Sequence, residues 1–433
     1  MKVSIFTLGC KVNQHETAAL ERELRARGHE LAPFEEGADA YIVNTCTVTA
    51  VSDKKSRGLI RRARKWAPHG VVAVCGCYGQ TDPEAVRALG VDLVAGTSDR
   101  MAFLDRLEEL HGGGAEEYRS PVMVDEALRR RDFERLTAGG LEGRTRATLK
   151  VEDGCVNFCT YCIIPYARGP VRSLPLDEAV EQARGLAAEG YREIVVTGIE
   201  ISSWGHDLRA GQTLIHLLEG VCRAVPDLRV RLGSLEPRTI TEDFCRRAAA
   251  LPNLCPHFHL SLQSGCDVTL VRMGRRYDTA RYYESVALLR EWFDAPAITT
   301  DLIVGFPGET EEEFRQTLDF IGRCAFSSMH IFPYSRRRGT PAADMAQQVP
   351  RAIQEERAKR AAAVADGMEG EYLRSLVGKT LPVLFEEEKG GLWQGHAPNY
   401  VPVRAAGAEL HNVLRPVYID GVEGSVLTGR IAE

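Results

Sequence analysis

Short apolar runs alternate with longer amphipathic stretches along most of this chain. In residues 1–110, the runs at 3–8, 40–44, 71–74 and 92–95 read as strands, with helical stretches at 16–27 and 52–65 between them. Short apolar strands alternating with helices predict a doubly wound, parallel α/β sheet. Residues 111–144 break the pattern. His111-Gly112-Gly113-Gly114 opens a charge-rich segment that nears its end at Gly139-Gly140, which reads as a linker. Alternation resumes at 145–152, 193–198, 228–235, 257–263, 298–305 and 329–334. Six βα units in series predict a parallel barrel or partial barrel over 145–376, with binding residues at the C-terminal strand ends. A helix rich in Ala, Arg and Glu follows at 351–376. Residues 377–433 then hold short β-rich pieces between Gly, Pro and Asn. They predict a small β-barrel of a type that often binds RNA.

Composition narrows the function classes. At about 150 residues per domain, 433 residues correspond to about three domains. With 44% apolar and 26% charged residues, the chain is neither wholly disordered nor collagen-like. No uncharged apolar run reaches the roughly 18 residues of a membrane helix, and the apolar start meets Cys10-Lys11 too early for a signal peptide. The 54 basic and 60 acidic residues leave a net charge of −6, which excludes a globally basic nucleic-acid binder but not a local patch. The twelve cysteines are too sparse for a small disulfide scaffold. In a cytoplasmic, reducing setting they favour metal ligation or catalysis.

Cys155, Cys159 and Cys162 follow the first barrel strand. Three thiolates within eight residues can wrap one soft metal centre. A cubane cluster has four irons, so three cysteines leave one iron open to a cofactor or substrate. Structural zinc is the alternative, but it usually closes with a fourth Cys or His, and no His lies in the next forty residues. A second set is dispersed. Cys10, Cys46 and Cys77 each sit just past a strand of the first sheet, where the strand ends of an open α/β sheet line one crevice. Cys75 is expected to point away by strand alternation, with a Cys75–Cys77 redox pair as the alternative. Cys222, Cys245, Cys255, Cys266 and Cys324 have no partner spacing and read as small buried hydrophobes.

The 155–162 triplet on a βα barrel resembles the radical S-adenosylmethionine superfamily. With the second cysteine set and a small C-terminal β domain, nearly the whole chain looks like the methylthiotransferases. The segments Thr7-Leu8-Gly9-Cys10-Lys11-Val12-Asn13, residues 159–169 and Gly395-His396-x2-Asn399-Tyr400 resemble the branch acting on N6-threonylcarbamoyladenosine in tRNA. The resemblance implies two [4Fe-4S] clusters and S-adenosylmethionine bound through its amino and carboxylate groups to the open iron. It implies hydrogen abstraction by a deoxyadenosyl radical from C2 of the modified adenosine 3′ to the anticodon. Sulfur would come from the cluster on Cys10, Cys46 and Cys77, and a methyl group from a second S-adenosylmethionine. Residues 377–433 would be a TRAM module. Val156 and Cys266 depart from the usual pattern, where Asn and a small residue such as Ser are common. A methylthiotransferase acting on a ribosomal-protein aspartate and a non-enzymatic, metal-stabilised RNA-binding protein are the rival readings.

Gly198, Glu236, Gln263, Arg275 and Asp301 lie at or near barrel strand ends. With Tyr161 they are the candidates for holding S-adenosylmethionine, Arg275 towards its carboxylate. Lys54, Lys55, Arg57, Arg61, Arg62, Arg64 and Lys65 put seven positive charges into twelve residues with no acid, a candidate tRNA phosphate contact. Arg336-Arg337-Arg338 is a second such candidate. Residues 377–433 carry five basic and seven acidic residues, so stacking through Trp393, His396 or Tyr400 is the alternative there. The reaction also calls for a low-potential electron donor and a sulfur donor, and the chain reads as a monomer.

Overall fold

The computed structural model describes residues 1–113, 121–137, 139, 143–209 and 211–432. Its first unit is a six-stranded parallel sheet of β1 (Lys2–Thr7), β2 (Glu30–Ala32), β3 (Ala40–Thr45), β4 (Val71–Gly76), β5 (Leu93–Ala95) and β6 (Val122–Met123), in the order β2-β1-β3-β4-β5-β6. Alternate strand residues feed two apolar layers. Ile42, Ala73 and Leu93 pack on one face, and Tyr41, Val43, Val72 and Val74 on the other. Strands buried on both faces explain the unbroken apolar runs. Helices α1 (Lys11–Ala26) and α2 (Ala50–Trp66) follow β1 and β3.

One expectation changes here. The segment read as a linker supplies β6, which extends the sheet beside β5. Arg130 then ties the segment down through Asp125, Gln80 and Thr97. Glycine and charge frequency concealed a two-residue strand, which is too short to carry periodicity.

The second unit begins with β7 (Arg146–Lys150). A short antiparallel pair, β8 (Glu152–Asp153) and β9 (Arg172–Ser173), brackets the 155–162 loop. Parallel strands β10 (Glu193–Thr197), β11 (Arg229–Leu232), β12 (Ser234–Leu235), β13 (His257–Leu260), β14 (Ala297–Val304) and β15 (Ser328–Pro333) complete a partial barrel. Only Gly233 separates β11 from β12. The first pairs with β10 and the second with β13, so one kinked strand joins the two halves. The long helix Arg351–Arg374 leads to β16 (Thr380–Lys389), β17 (Leu392–His396), β18 (Pro402–Ala405), β19 (Leu414–Glu423) and β20 (Val426–Ile431), a closed barrel. Arg229 and Arg231 donate from the partial barrel to the carbonyls of Pro382, His396 and Pro398 and so dock this C-terminal barrel. No helix among the described residues is long and apolar enough to cross a membrane.

The first sheet is locked to the partial barrel by buried charge. Glu16 of α1 accepts from Arg100 at 2.8 Å, from Lys150 of β7 at 3.3 Å and from Arg168. Asp153 accepts from Lys150 at 2.7 Å and pairs with Arg168 and Arg172 at 3.5 Å. Burial opposes ionisation of Glu16, yet Arg100, Arg168 and Lys150 hold its carboxyl well below the usual range. Burial likewise opposes ionisation of Asp153, but Lys150, Arg168 and Arg172 hold it down at about 2. A depressed carboxyl pKa stabilises the fold above the unfolded value of about 3.9, and that contribution is lost as pH falls through the folded value. Glu16→Gln removes one partner of a buried set. Its expected cost is about 3–5 kcal/mol, read as a lowered denaturation midpoint at pH 7.

Candidate active site

The auxiliary cysteines sit at the ends of three neighbouring strands. β1, β3 and β4 are adjacent in the sheet, and strand order reverses between β1 and β3, the point where such sheets open a crevice. Cys10 starts α1, Cys46 follows β3, and Cys77 opens the short helix Cys77–Thr81. Gly76 makes the last turn with φ +96°, and a Cβ there would lie 2.5 Å from the Thr45 carbonyl oxygen, so only glycine fits. Asn13 binds the loops together. Its amide donates to the Leu8 and Thr45 carbonyls, and its oxygen accepts from Arg168 at 2.8 Å and lies 3.6 Å from Cys10 Sγ. Burial pushes the Cys46 thiol up and the Cys77 thiol to about 12, while the Arg168 guanidinium acts against that rise. Cys75 is fully buried among Ile42, Ala73 and Leu93 in the apolar layer.

The second set lies on a loop pinned at both ends. Gly154 has φ +94°, and a Cβ there would stand 2.0 Å from the Pro170 carbonyl oxygen, so the chain enters Cys155 by a path closed to other residues. Farther on, the Thr160 N–H donates to Met273 O, its hydroxyl donates to Arg272 O, and its carbonyl accepts from Ala342. Burial pushes the Cys155 and Cys162 thiols up to about 12. All the cysteines are free thiols, and no three Cys, His, Asp or Glu side chains among the described residues are grouped to hold one metal ion. Thiols raised in this way, Cys46 and Cys77 in one set and Cys155 and Cys162 in the other, ionise together only around concentrated positive charge. Each set therefore suits a polynuclear cluster, which offers each thiolate its own iron, better than tetrahedral zinc.

The candidate cofactor residues divide among three surroundings. Gly198 and Asp301 line a cavity of about 700 Å³ at the barrel mouth, together with Cys10, Lys11, His257 and Tyr400. Asp301 pairs there with His259 at 3.3 Å. A side chain at Gly198 would strike Glu152, 2.7 Å from where its Cβ would lie. Glu236 lines a separate cavity of about 400 Å³ with Val156, Asn157 and Glu200, its carboxylate held by Arg238 at 2.9 Å. Arg275 instead donates to Cys159 Sγ at 3.3 Å and to Tyr277, and Tyr161 packs in the small core containing Phe306. Gln263 adopts φ +70° and is tied by backbone bonds to Asp301 and Ile303.

Sequence reasoning passed over several residues. Glu152 is a buried and Glu200 a half-buried carboxylic acid, both with pKa values raised by desolvation, one immediately before the cysteine loop and one just beyond β10. Their strand-end positions were the available signal. Asn13 and Arg168 lie in the quoted motif segments but nothing there showed their roles, and nothing marked Glu16; all three act across more than a hundred residues.

The basic helix is only partly free. Lys54, Lys55, Arg61, Arg62 and Lys65 are exposed on α2, and Arg57 reaches Tyr78. Arg64 is taken up by Asp92 and the Gly70 carbonyl, closing the end of its own helix. Arg337 is buried against Asp53 and Thr47, so it joins the two units instead of facing solvent. His396 and Tyr400 stack on each other at 4.8 Å, with Arg231 over the tyrosine ring, so both are built into the junction between barrels.

Comparison with known proteins agrees with this geometry. Residues 149–321 match the radical SAM superfamily, and residues 2–96 match the uncharacterized protein family UPF0004. The threonylcarbamoyladenosine tRNA methylthiotransferase MtaB of Bacillus subtilis is 40% identical, covering 94% of this chain and 91% of its own. The protein of the same name from Aquifex aeolicus is 37% identical over 94% and 97%. A tRNA-2-methylthio-N(6)-dimethylallyladenosine synthase of Bacillus pumilus is 34% identical over 89% and 76%. Among solved structures, the radical S-adenosylmethionine methyltransferase TsrM of Kitasatospora setae shares the fold, with TM-score 0.58 at 18% identity over 79% of this chain and 77% of that one. The chain belongs to the threonylcarbamoyladenosine tRNA methylthiotransferases, a family carried on the radical SAM barrel.

Proposed function

We infer that this protein adds a 2-methylthio group to N6-threonylcarbamoyladenosine at position 37 of tRNA, 3′ to the anticodon. The observation that carries this reading is the shared cavity. Cys10 opens into the same 700 Å³ space as Gly198 and Asp301, so one member of the auxiliary set and the inside of the barrel border one cavity. When bound, the cluster on Cys155, Cys159 and Cys162 with S-adenosylmethionine supplies the radical, and the cluster on Cys10, Cys46 and Cys77 supplies sulfur.

The chain's own groups hold and shield. Arg275 steadies the thiolate of Cys159, and Arg168 offsets the negative charge of the other set near Cys77. Gly198 keeps the strand end open for a ligand and Asp301 offers an acceptor in the same cavity, while Glu236 offers one in the separate cavity beside Val156 and Asn157. Tyr161 closes the apolar side behind Cys159 and Cys162. Exposed Lys54, Lys55, Arg61, Arg62 and Lys65 take tRNA phosphates, whereas Arg57, held by Tyr78, and Arg64 serve the fold. A low-potential electron donor and a sulfur donor complete turnover, and the protein works as a cytoplasmic monomer. The full-length relatives at 37–40% identity are tRNA methylthiotransferases, which favours this reading over a ribosomal-protein substrate or a metal-stabilised RNA binder.

Anaerobic purification tests the cofactor content. About eight irons per chain are expected, falling to about four in a Cys155→Ala/Cys159→Ala/Cys162→Ala variant. Zinc in place of iron would sink the radical reading. A salt titration tests the helix. Changing Lys54, Lys55, Arg61 and Lys65 to Gln is expected to flatten the plot of log affinity for tRNA against log salt by about 0.7–0.9 for each phosphate left without its cation. Arg64→Gln is expected to lower the melting temperature and leave that slope alone.

A further inference from the structure

Lys11 is a cation without a partner. It is exposed at the start of α1, immediately after Cys10, and no ion pair or hydrogen bond engages its ammonium among the described residues. The acids near it are already taken. Glu193 is held by Arg229 and Arg231, and Glu386 by Arg146 and His396. Lys11 and Tyr400 form the wall shared by the main cavity and a neighbouring one of about 400 Å³. His257 lines the main cavity too. It is 7% exposed, its ring lies 5.3 Å from Tyr400, and its Nδ1 has no hydrogen-bond partner. A buried polar atom without a partner, beside a free cation, describes a site for an anion that also carries hydrogen-bonding groups.

The substrate class proposed above presents such a group. C2 and N6 of adenine lie on the same edge of the ring, separated by N1. A base with C2 towards Cys10 therefore brings its N6 substituent close to the residue beside Cys10. The threonylcarbamoyl substituent ends in a carboxylate and a hydroxyl, whereas an N6-dimethylallyl group is neutral and apolar. We propose that Lys11 binds the carboxylate of the threonylcarbamoyl substituent, with His257 hydrogen-bonding the same substituent, and thereby selects this nucleoside over neutral N6-modified adenosines. A missing charge partner is a strong basis for discrimination, because the unmatched ammonium must otherwise shed water for nothing. The assignment rests on the proposed tRNA substrate.

The test uses cluster-loaded, anaerobic enzyme and three anticodon stem-loops: threonylcarbamoyl, the same group with its carboxylate as a carboxamide, and unmodified adenosine. Dissociation constants are read by fluorescence anisotropy. Wild type is expected to bind the carboxylate about ten-fold tighter than the carboxamide, and Lys11→Gln to bring the two within about two-fold. Lys11→Arg is expected to retain the preference. The ratio is taken within each variant, so any loss of cluster or fold affects both arms alike. Lys11→Gln with the wild-type ratio would overturn the proposal, as would an equal loss on all three RNAs, which would mark a phosphate contact instead. His257→Phe is expected to weaken the carboxylate and carboxamide forms together, and wild-type affinity there would remove His257 from the assignment. The two readings fail differently. Wild type that does not methylthiolate the threonylcarbamoyl stem-loop defeats the function itself, whereas methylthiolation with an unchanged Lys11→Gln ratio defeats only this inference.

Discussion

The buried contact of Glu16 and Asp153 with Arg100, Lys150, Arg168 and Arg172 is the constraint from which the rest of the arrangement follows. Its members come from α1, from the helix Arg100–His111, from β7 and β8, and from the segment after the cysteine loop. Burying charge is costly, and such sets contribute more to geometry than to stability. Here the geometry in question is the seat of α1, which carries Cys10 and Lys11 at its first turn. If α1 shifted on β7, Cys10 would no longer open into the barrel mouth.

The same guanidinium links that lock to the chemistry. Arg168 reaches Glu16, Asn13 and the neighbourhood of Cys77 at once, so docking of the two units and the electrostatics of the auxiliary set depend on one side chain. The other cysteine set has a counterpart in Arg275 on Cys159. Arginine suits both places, because it stays charged when buried and offers several donors in a fixed plane. Each set thus pairs buried thiols (Cys46 and Cys77 in one, Cys159 in the other) and more open ones with one permanent cation, an environment that accommodates an iron-bound set.

Polar selectivity and docking meet again at Tyr400. Its ring stacks on His396, approaches His257 and lies beneath Arg231 and Arg146, while its edge borders both cavities. The C-terminal barrel therefore closes one end of the main cavity as well as extending the surface. The net −2 charge of residues 377–433 fits that role better than a role in clamping phosphates.

Sequence alone determined the three-part α/β, barrel and β-barrel order, because periodicity and turn residues are local properties. It also offered both cysteine sets as candidates, since cysteines just past strand ends are legible from position. It did not show that Val122 and Met123 extend the first sheet, because a two-residue strand leaves no periodic trace. Arg64 and Arg337 looked like free cations because a charge run does not reveal partners far along the chain. Only tertiary structure decided that Arg275 turns to Cys159, that Glu236 and Asp301 face different cavities, and that Glu16, Asn13 and Arg168 bind the two units. Those facts depend on contacts between residues up to about 150 positions apart, and spacing along the chain does not encode the direction in which a side chain finds its partner.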